Sequence, residues 1–322
     1  MKAIVCTKYG SPEVLKLAEV EKPTPKDHEV LIKVKATTAT SGDSRIRQAN
    51  PFLIRLIFGF KKPRNSILGG NLAGVVESSG KDVTLFKEGD EVFASTGMSF
   101  GSYAEYKCLD EDSVLATKPS NLNYKESVAV IFGGLTALYF LKKAGIKRGQ
   151  KVLVYGASGA VGTAAVQLAK HFGAEVTAVC GASSINLVKS LGATVVIDYR
   201  KEDFSKSGQS YDIVYEAVGK TSISKGKKIV KKNGVYIAGA SGILKGFSQL
   251  LWTSLTSGKK IVTGVAGEAK ENLIELKKII EEGGFKSVID KTYSLEEIVE
   301  AHTYVDTGRK TGSVVITLED KC

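Results

Sequence analysis

The stretch KVLVYGASGAVG, residues 151–162, decides the fold. Val152, Leu153, Val154 and Tyr155 make an apolar run of strand length, preceded by the polar turn Lys147-Arg148-Gly149-Gln150. Gly156, Gly159 and Gly162 follow. Val161, Ala164, Ala165, Leu168, Ala169 and Phe172 then recur at helical spacings, and Gly173 stands where a helix would end. A strand, a glycine turn and a helix in this order are the setting in which a glycine motif binds a dinucleotide. Gly156 permits the tight turn, Gly159 lets the backbone approach a pyrophosphate, and Gly162 lets the helix pack close on the strand. The first N–H groups of the helix face the phosphates. The bland alternative is a glycine-rich turn in an ordinary α/β protein.

From about Asn123 apolar strands alternate with helical patterns. Strands are expected at 152–155, 175–180, 194–197, 212–215, 234–238 and 260–265. Six strands with helical crossovers make a doubly wound parallel sheet, so residues 126–267 are read as a Rossmann domain. A helix over 125–144 is expected to be interrupted at Gly133-Gly134. Residues 1–125 are β-rich. Short strand-like runs at 2–7, 29–36, 72–78, 90–94 and 104–107 are separated by Gly and Pro. The tail, 268–322, carries two helical patterns and two strands.

The chain has 322 residues, 43% hydrophobic and 25% charged, the balance of a globular chain of about two domains. No apolar run approaches the roughly 18 residues of a membrane span. The opening Met1 to Lys8 is too short for a signal peptide, so a cytoplasmic location is expected. Cys6, Cys108, Cys180 and Cys322 are far apart and are expected to be reduced. A net charge of +11 favours anionic partners: a phosphorylated cofactor, acidic lipid or RNA. The lysines are spread along the chain as solvated faces, so nucleic acid is not expected. Two stretches are strongly apolar: FLIRLIFGF at 52–60, followed by Lys61, Lys62 and Arg64, and 243–255 with Trp252. Each reads as the wall of an apolar pocket, as core or subunit-interface packing, or as a membrane-surface contact.

NAD-specific sites carry an acid at the end of the second strand, about 20 residues beyond the glycines. Here that strand is followed by Gly181-Ala182-Ser183-Ser184. No carboxylate repels a 2′-phosphate, two hydroxyls can donate to it, and Tyr199, Arg200 and Lys201 end the next strand. NADPH is the expected cofactor.

With these residues in place, the chain resembles the medium-chain dehydrogenase/reductase superfamily, and within it the zinc-free quinone oxidoreductase (zeta-crystallin-like) branch. The similar motifs run nearly end to end: YGSPEVL at 9–15, GNLAGVV at 70–76, FKEGDEV at 86–92, GSYAEY at 101–106, GLTA at 134–137, the 155–162 turn, LGA at 191–193 and VIDY at 196–199. The resemblance implies a GroES-like domain, rejoined by the tail, around the Rossmann domain, with the nicotinamide held in the cleft. It carries over Thr136 to the nicotinamide ribose, and Ser158, Gly159, Ala160 and Val161 to the pyrophosphate. Ser183, Tyr199 and Arg200 come to the 2′-phosphate, and Val218 and Gly239 to the strand ends under the nicotinamide.

The departures decide the chemistry. Zinc alcohol dehydrogenases of the superfamily place a Cys where this chain has Thr40 and a His where it has Gly70, with Asn71 at the neighbouring acidic position. His28, His171 and His302 are scattered, so no metal is expected. Without a Lewis acid, activated acceptors remain: quinones, or α,β-unsaturated carbonyls reduced at C=C. The resemblance brings the loop Thr40-Ser41-Gly42-Asp43 near the nicotinamide. Thr40 or Ser41 is expected to donate to substrate oxygen, Asp43 to orient the loop, and solvent to supply the proton. The rivals are an NADP-linked alcohol dehydrogenase or enoyl-thioester reductase, and an NADPH-binding protein with a structural or RNA-binding role. A homodimer is expected through the sixth strand, which is otherwise an open edge.

Overall fold

The computed structural model describes residues 1–239 and 258–318. The apolar stretch 243–255 and Cys322 lie outside the described residues. The chain divides into two units. The first comprises Met1–Phe132, Glu268–Glu281 and Ser287–Cys322; the second comprises Gly133–Gly267 and Glu282–Lys286.

The first unit opens with β1 (Lys2–Cys6) and β2 (Leu15–Glu19), paired antiparallel. Its main sheet uses β3 (Glu29–Ala39), β4 (Asn71–Ser79), β5 (Glu91–Ser95), β6 (Tyr106–Asp110) and β7 (Leu115–Thr117). Between β3 and β4 lie α1 (Ser41–Gln48) and the short α2 (Ile54–Phe58). The expected loop at 40–43 is therefore the start of a helix.

Next comes α3 (Tyr124–Ala144), which is continuous. The expected interruption at Gly133-Gly134 does not occur. Gly133 serves close approach instead: a Cβ there would lie 2.4 Å from the carbonyl oxygen of Ala160. By length and composition this helix could cross a membrane, which corrects the expectation that no segment qualifies. Its Val128, Ile131, Leu135, Leu138, Phe140 and Leu141 are all buried, as in a core helix.

The second unit contains β8 (Lys151–Tyr155), α4 (Ala160–His171), β9 (Glu175–Cys180), α5 (Ile185–Ser190), β10 (Val195–Asp198), β11 (Tyr211–Glu216), α6 (Ile223–Lys228), β12 (Val230–Ala238) and β13 (Lys260–Thr263). The six strands form one sheet in the order β10-β9-β8-β11-β12-β13, all parallel. This is the doubly wound order, in which the chain reverses direction across the sheet between β8 and β11. Val152, Leu153 and Val154 are fully buried, as a strand covered on both faces requires.

The tail returns to the first unit as α7 (Lys270–Glu281), β14 (Ile289–Ser294), α8 (Ile298–Asp306) and β15 (Ser313–Thr317). β15 pairs antiparallel with β3, Val315 opposite Thr38, and extends the main sheet to β14-β15-β3-β4-β5-β7 with β6 on β3. Ile4, Leu15, Leu68, Tyr103, Ile298, Ala301 and Val314 make one buried cluster, so the tail completes this core.

Candidate active site

In the second unit, β8 ends at Tyr155 and the chain turns through Gly156, whose φ of 79° is open to glycine at no steric cost. A Cβ there would meet Val218 at 2.5 Å. A Cβ on Gly162 would lie 2.0 Å from the carbonyl oxygen of Gly156, so the first turn of α4 rests directly on the glycine turn. Gly159 caps α4 with no side-chain cap bond, and a Cβ there would meet nothing nearer than 3.8 Å. Ser158, Gly159, Ala160 and Val161 are partly exposed. The first amides of a helix have no intrahelical acceptor, so this end is an open cradle of donors with the positive end of the helix dipole behind it.

The other second-unit residues expected at the cofactor gather at the carboxyl ends of the same sheet. Ser183 is exposed in a short 3-10 turn after β9. The Tyr199 ring lies just after β10, within 3.7 Å of where a Gly181 Cβ would be. The Arg200 guanidinium is 5.7 Å from the centre of that ring. Tyr155, Tyr199, Arg200, Lys201 and Lys225 help line a cavity of about 270 Å³. No carboxylate occupies 181–184; Glu202 and Asp203 also line the cavity, and Asp203 is held by Lys225 at 3.0 Å. Thr136 is partly buried on α3, its carbonyl 3.5 Å from the Tyr215 hydroxyl. Gly239 follows β12 and donates its N–H to the Glu216 carbonyl.

Glu216 itself escaped the sequence reading. It is fully buried at the end of β11. Its Oε1 accepts N–H bonds from Val218, Gly219 and Lys220 at 3.1, 2.6 and 3.2 Å, which fixes the turn that presents Val218. Burial raises its pKa, opposed by these bonds.

In the first unit, Thr40 and Asp43 form a capping box at the start of α1. The Asp43 N–H donates to Thr40 Oγ1 at 3.1 Å; the Thr40 N–H and hydroxyl donate to Asp43 Oδ2 at 2.9 and 2.5 Å. A hydroxyl has one hydrogen to give. Thr40 spends it on Asp43, whereas the Ser41 hydroxyl beside it is exposed. Asp43 is buried, and burial raises its pKa against the bonds from Thr40.

Behind Asp43 lies a buried polar chain that no sequence pattern marked. Arg47 Nε donates to His302 Nδ1 at 3.3 Å, and His302 Nε2 is 3.0 Å from the Tyr103 hydroxyl. Arginine only donates, so Nδ1 accepts and neutral His302 carries its hydrogen on Nε2. Tyr103 accepts it, and its own single hydrogen lies between Asp43 and the Thr38 carbonyl, 3.3 Å away. Arg47 also pairs with Asp306 at 2.5 Å. Burial first, and the Arg47 charge second, push the His302 pKa down to about 3.

The donor set does not suit zinc. Asn71 donates to Thr38 Oγ1, His302 is committed to Arg47 and Tyr103, and burial raises the thiols of Cys6, Cys108 and Cys180 to about 11. Among the described residues, no three His, Cys, Asp or Glu side chains come together as a metal site.

Residues 26–120 match the family model of the alcohol dehydrogenase GroES-like domain, and residues 191–316 that of the zinc-binding dehydrogenases. Over 98% of its length the chain is 37% identical to the 2-methylene-furan-3-one reductase of Solanum lycopersicum, covering 79% of that protein. Over 99% it is 31% identical to the quinone oxidoreductase of Homo sapiens, covering 98% of it. The solved structure of the quinone oxidoreductase from Coxiella burnetii matches at a TM-score of 0.90 and 28% identity, with 99% of each chain covered. With the two sheets described above, these similarities define the class: the chain belongs to the medium-chain dehydrogenase/reductase superfamily, oxidoreductases that use a pyridine nucleotide. Within it, the chain lies among the quinone oxidoreductases and enone reductases, the branch its motifs resemble.

Proposed function

We propose that this protein is an NADPH-dependent reductase of quinones and α,β-unsaturated carbonyl compounds, working without zinc. The observation that carries the cofactor is the 156–162 turn with no carboxylate at the end of β9 and with Tyr199, Arg200 and Lys201 beside it. A cradle that a Cβ would fill and a cationic, hydroxyl-lined neighbour fit a pyrophosphate and a 2′-phosphate.

Bound NADPH supplies a hydride for a quinone, or for the β-carbon of an enone whose C=C electron pair passes to the carbonyl oxygen. The chain's own task is to bind and orient. The amides of Ala160, Val161 and Gly162 and the Ser158 hydroxyl hold the pyrophosphate. Ser183, Tyr199 and Arg200 hold the 2′-phosphate, and Thr136 the ribose. Ser41 donates to the acceptor oxygen, from a turn fixed by Thr40 and Asp43. Solvent supplies the proton. The family model's name mentions zinc, but Thr40, Gly70 and Asn71 are not a zinc ligand set; an acceptor that needs a Lewis acid is therefore a poor substrate.

β13 pairs only with β12 and is an open edge among the described strands; we propose that two subunits join there. Light scattering after size exclusion reads that state. The activity is tested by NADPH and NADH oxidation against quinones, enals, simple ketones and enoyl thioesters, with and without a chelator. Turnover of quinones and enals that survives chelation, with NADPH preferred, is expected. Loss on chelation, or a preference for simple ketones, contradicts the reading.

A further inference from the structure

Residues 52–60 are not packed as a core. Phe52, Leu56, Ile57 and Phe60 are 60%, 61%, 52% and 64% exposed, and Leu53 is exposed as well. Single exposed hydrophobics are ordinary; a cluster of them on nine consecutive residues marks a contact surface. The cluster is contiguous. The Phe52 and Phe60 rings meet edge-on at 6.3 Å. Ile57 and Phe58 edge a cavity of about 260 Å³ with Leu68, Met98 and Phe100 and with the polar Arg64 and Asn65, and Met98 is itself 62% exposed.

The segment's own charge has one sign. From Gln48 to Val76 the chain carries Arg55, Lys61, Lys62 and Arg64 and no Asp or Glu. Lys61, Lys62 and Arg64 are exposed. Arg55 lies 5.0 and 5.1 Å from the ring centres of Tyr9 and Phe52, so its charge sits at the base of the aromatic cluster. Large apolar side chains beside flexible cations suit an acidic interface: the rings and aliphatics enter the headgroup boundary while the long stems carry their charges to the phosphates. Two copies pressed together at this face would set like charges against like within a screening length, so self-association is disfavoured.

We propose that the 52–64 segment docks the first unit of this protein onto an anionic phospholipid surface. α2 has five residues and lies on the bilayer rather than crossing it. The docking goes beyond the proposed activity and is read without turnover.

The test is sedimentation of the full chain with vesicles of phosphatidylcholine alone or mixed with phosphatidylserine, over a range of salt. Binding is expected only to the mixed vesicles and is expected to weaken as salt rises. K61Q/K62Q/R64Q is expected to bind about a hundredfold more weakly, and L56S/I57S about tenfold or more. Circular dichroism checks that each variant is folded; the three charges are exposed, so the charge variant decides if the apolar one does not fold. Failure of the wild-type chain to bind mixed vesicles, equal binding to phosphatidylcholine alone, or unchanged binding by the folded charge variant overturns the proposal. So does a dimer that dissociates in L56S/I57S while vesicle binding persists.

Discussion

The hydroxyl of Tyr103 lies 3.0 Å from Nε2 of His302, 199 positions away in the chain, and neither side chain meets solvent. The contact joins the returning tail to the strands around α1. It also fixes the direction of every hydrogen bond from Arg47 to Asp43, because Arg47 donates into His302. Protonation of His302 would put a second hydrogen between two donors.

The acid side of the stability curve should record this. The His302 pKa falls from 6.5 to about 3 on folding, so the unfolded chain binds the extra proton between those values. The stability contributed is complete above about pH 6.5 and is lost as pH falls towards 3, at up to ~1.4 kcal/mol per pH unit. Asp43 and Glu216, with raised pKa values, act with the opposite sign. Denaturant unfolding of wild type and H302N across this range isolates the histidine: the variant is expected to lose less stability on acidification. Parallel curves would contradict the assignment.

Arg47 is fully buried against Asp306. Removing one member of such a pair leaves a charge without a partner. R47M is expected to cost about 3–5 kcal/mol in urea unfolding. A cost below about 1 kcal/mol, the range of an exposed pair, would refute the burial argument.

The capping box separates stability from substrate contact. T40A is expected to lose about 1 kcal/mol of stability and T40S nearly none. S41A is expected to keep the wild-type Tm while raising KM for an enone. If S41A leaves KM unchanged and folded T40A raises it while T40S does not, the two hydroxyls have exchanged roles.

Gly159 and Gly162 should part in the same way. G162A puts a Cβ 2.0 Å from a carbonyl oxygen and is expected to lower Tm strongly. G159A meets nothing within the chain closer than 3.8 Å, so it should fold normally and lose NADPH affinity, as titrated by cofactor fluorescence.

Most of the second unit was legible in the sequence for a physical reason. Parallel strands buried on both faces read as unbroken apolar runs, and all six expected strands formed within a few residues of their expected bounds. The failures have equally physical causes. Gly133 reads as a helix break when only its missing Cβ is needed, against the Ala160 carbonyl. The SGDSRIRQ helix is too polar for an apolar stripe to mark it, and the three-residue β7 is too short to show a period. In the site, glycine spacing and a missing acid are local signals and could be read. The chain Arg47–His302–Tyr103–Asp43 is assembled by the return of the tail, and Glu216 looks like any strand-end acid until its three N–H bonds are seen.

The proposed reaction is hydride transfer to an activated C=C bond without a metal. Incubating the chelator-treated protein with an enone and NADPH deuterated at C4 of the nicotinamide, and locating the label in the product by NMR, tests it most directly. The expected product is the saturated ketone with deuterium on the carbon β to the carbonyl. An allylic alcohol with deuterium on the carbinol carbon, or no transfer until zinc is restored, would contradict it.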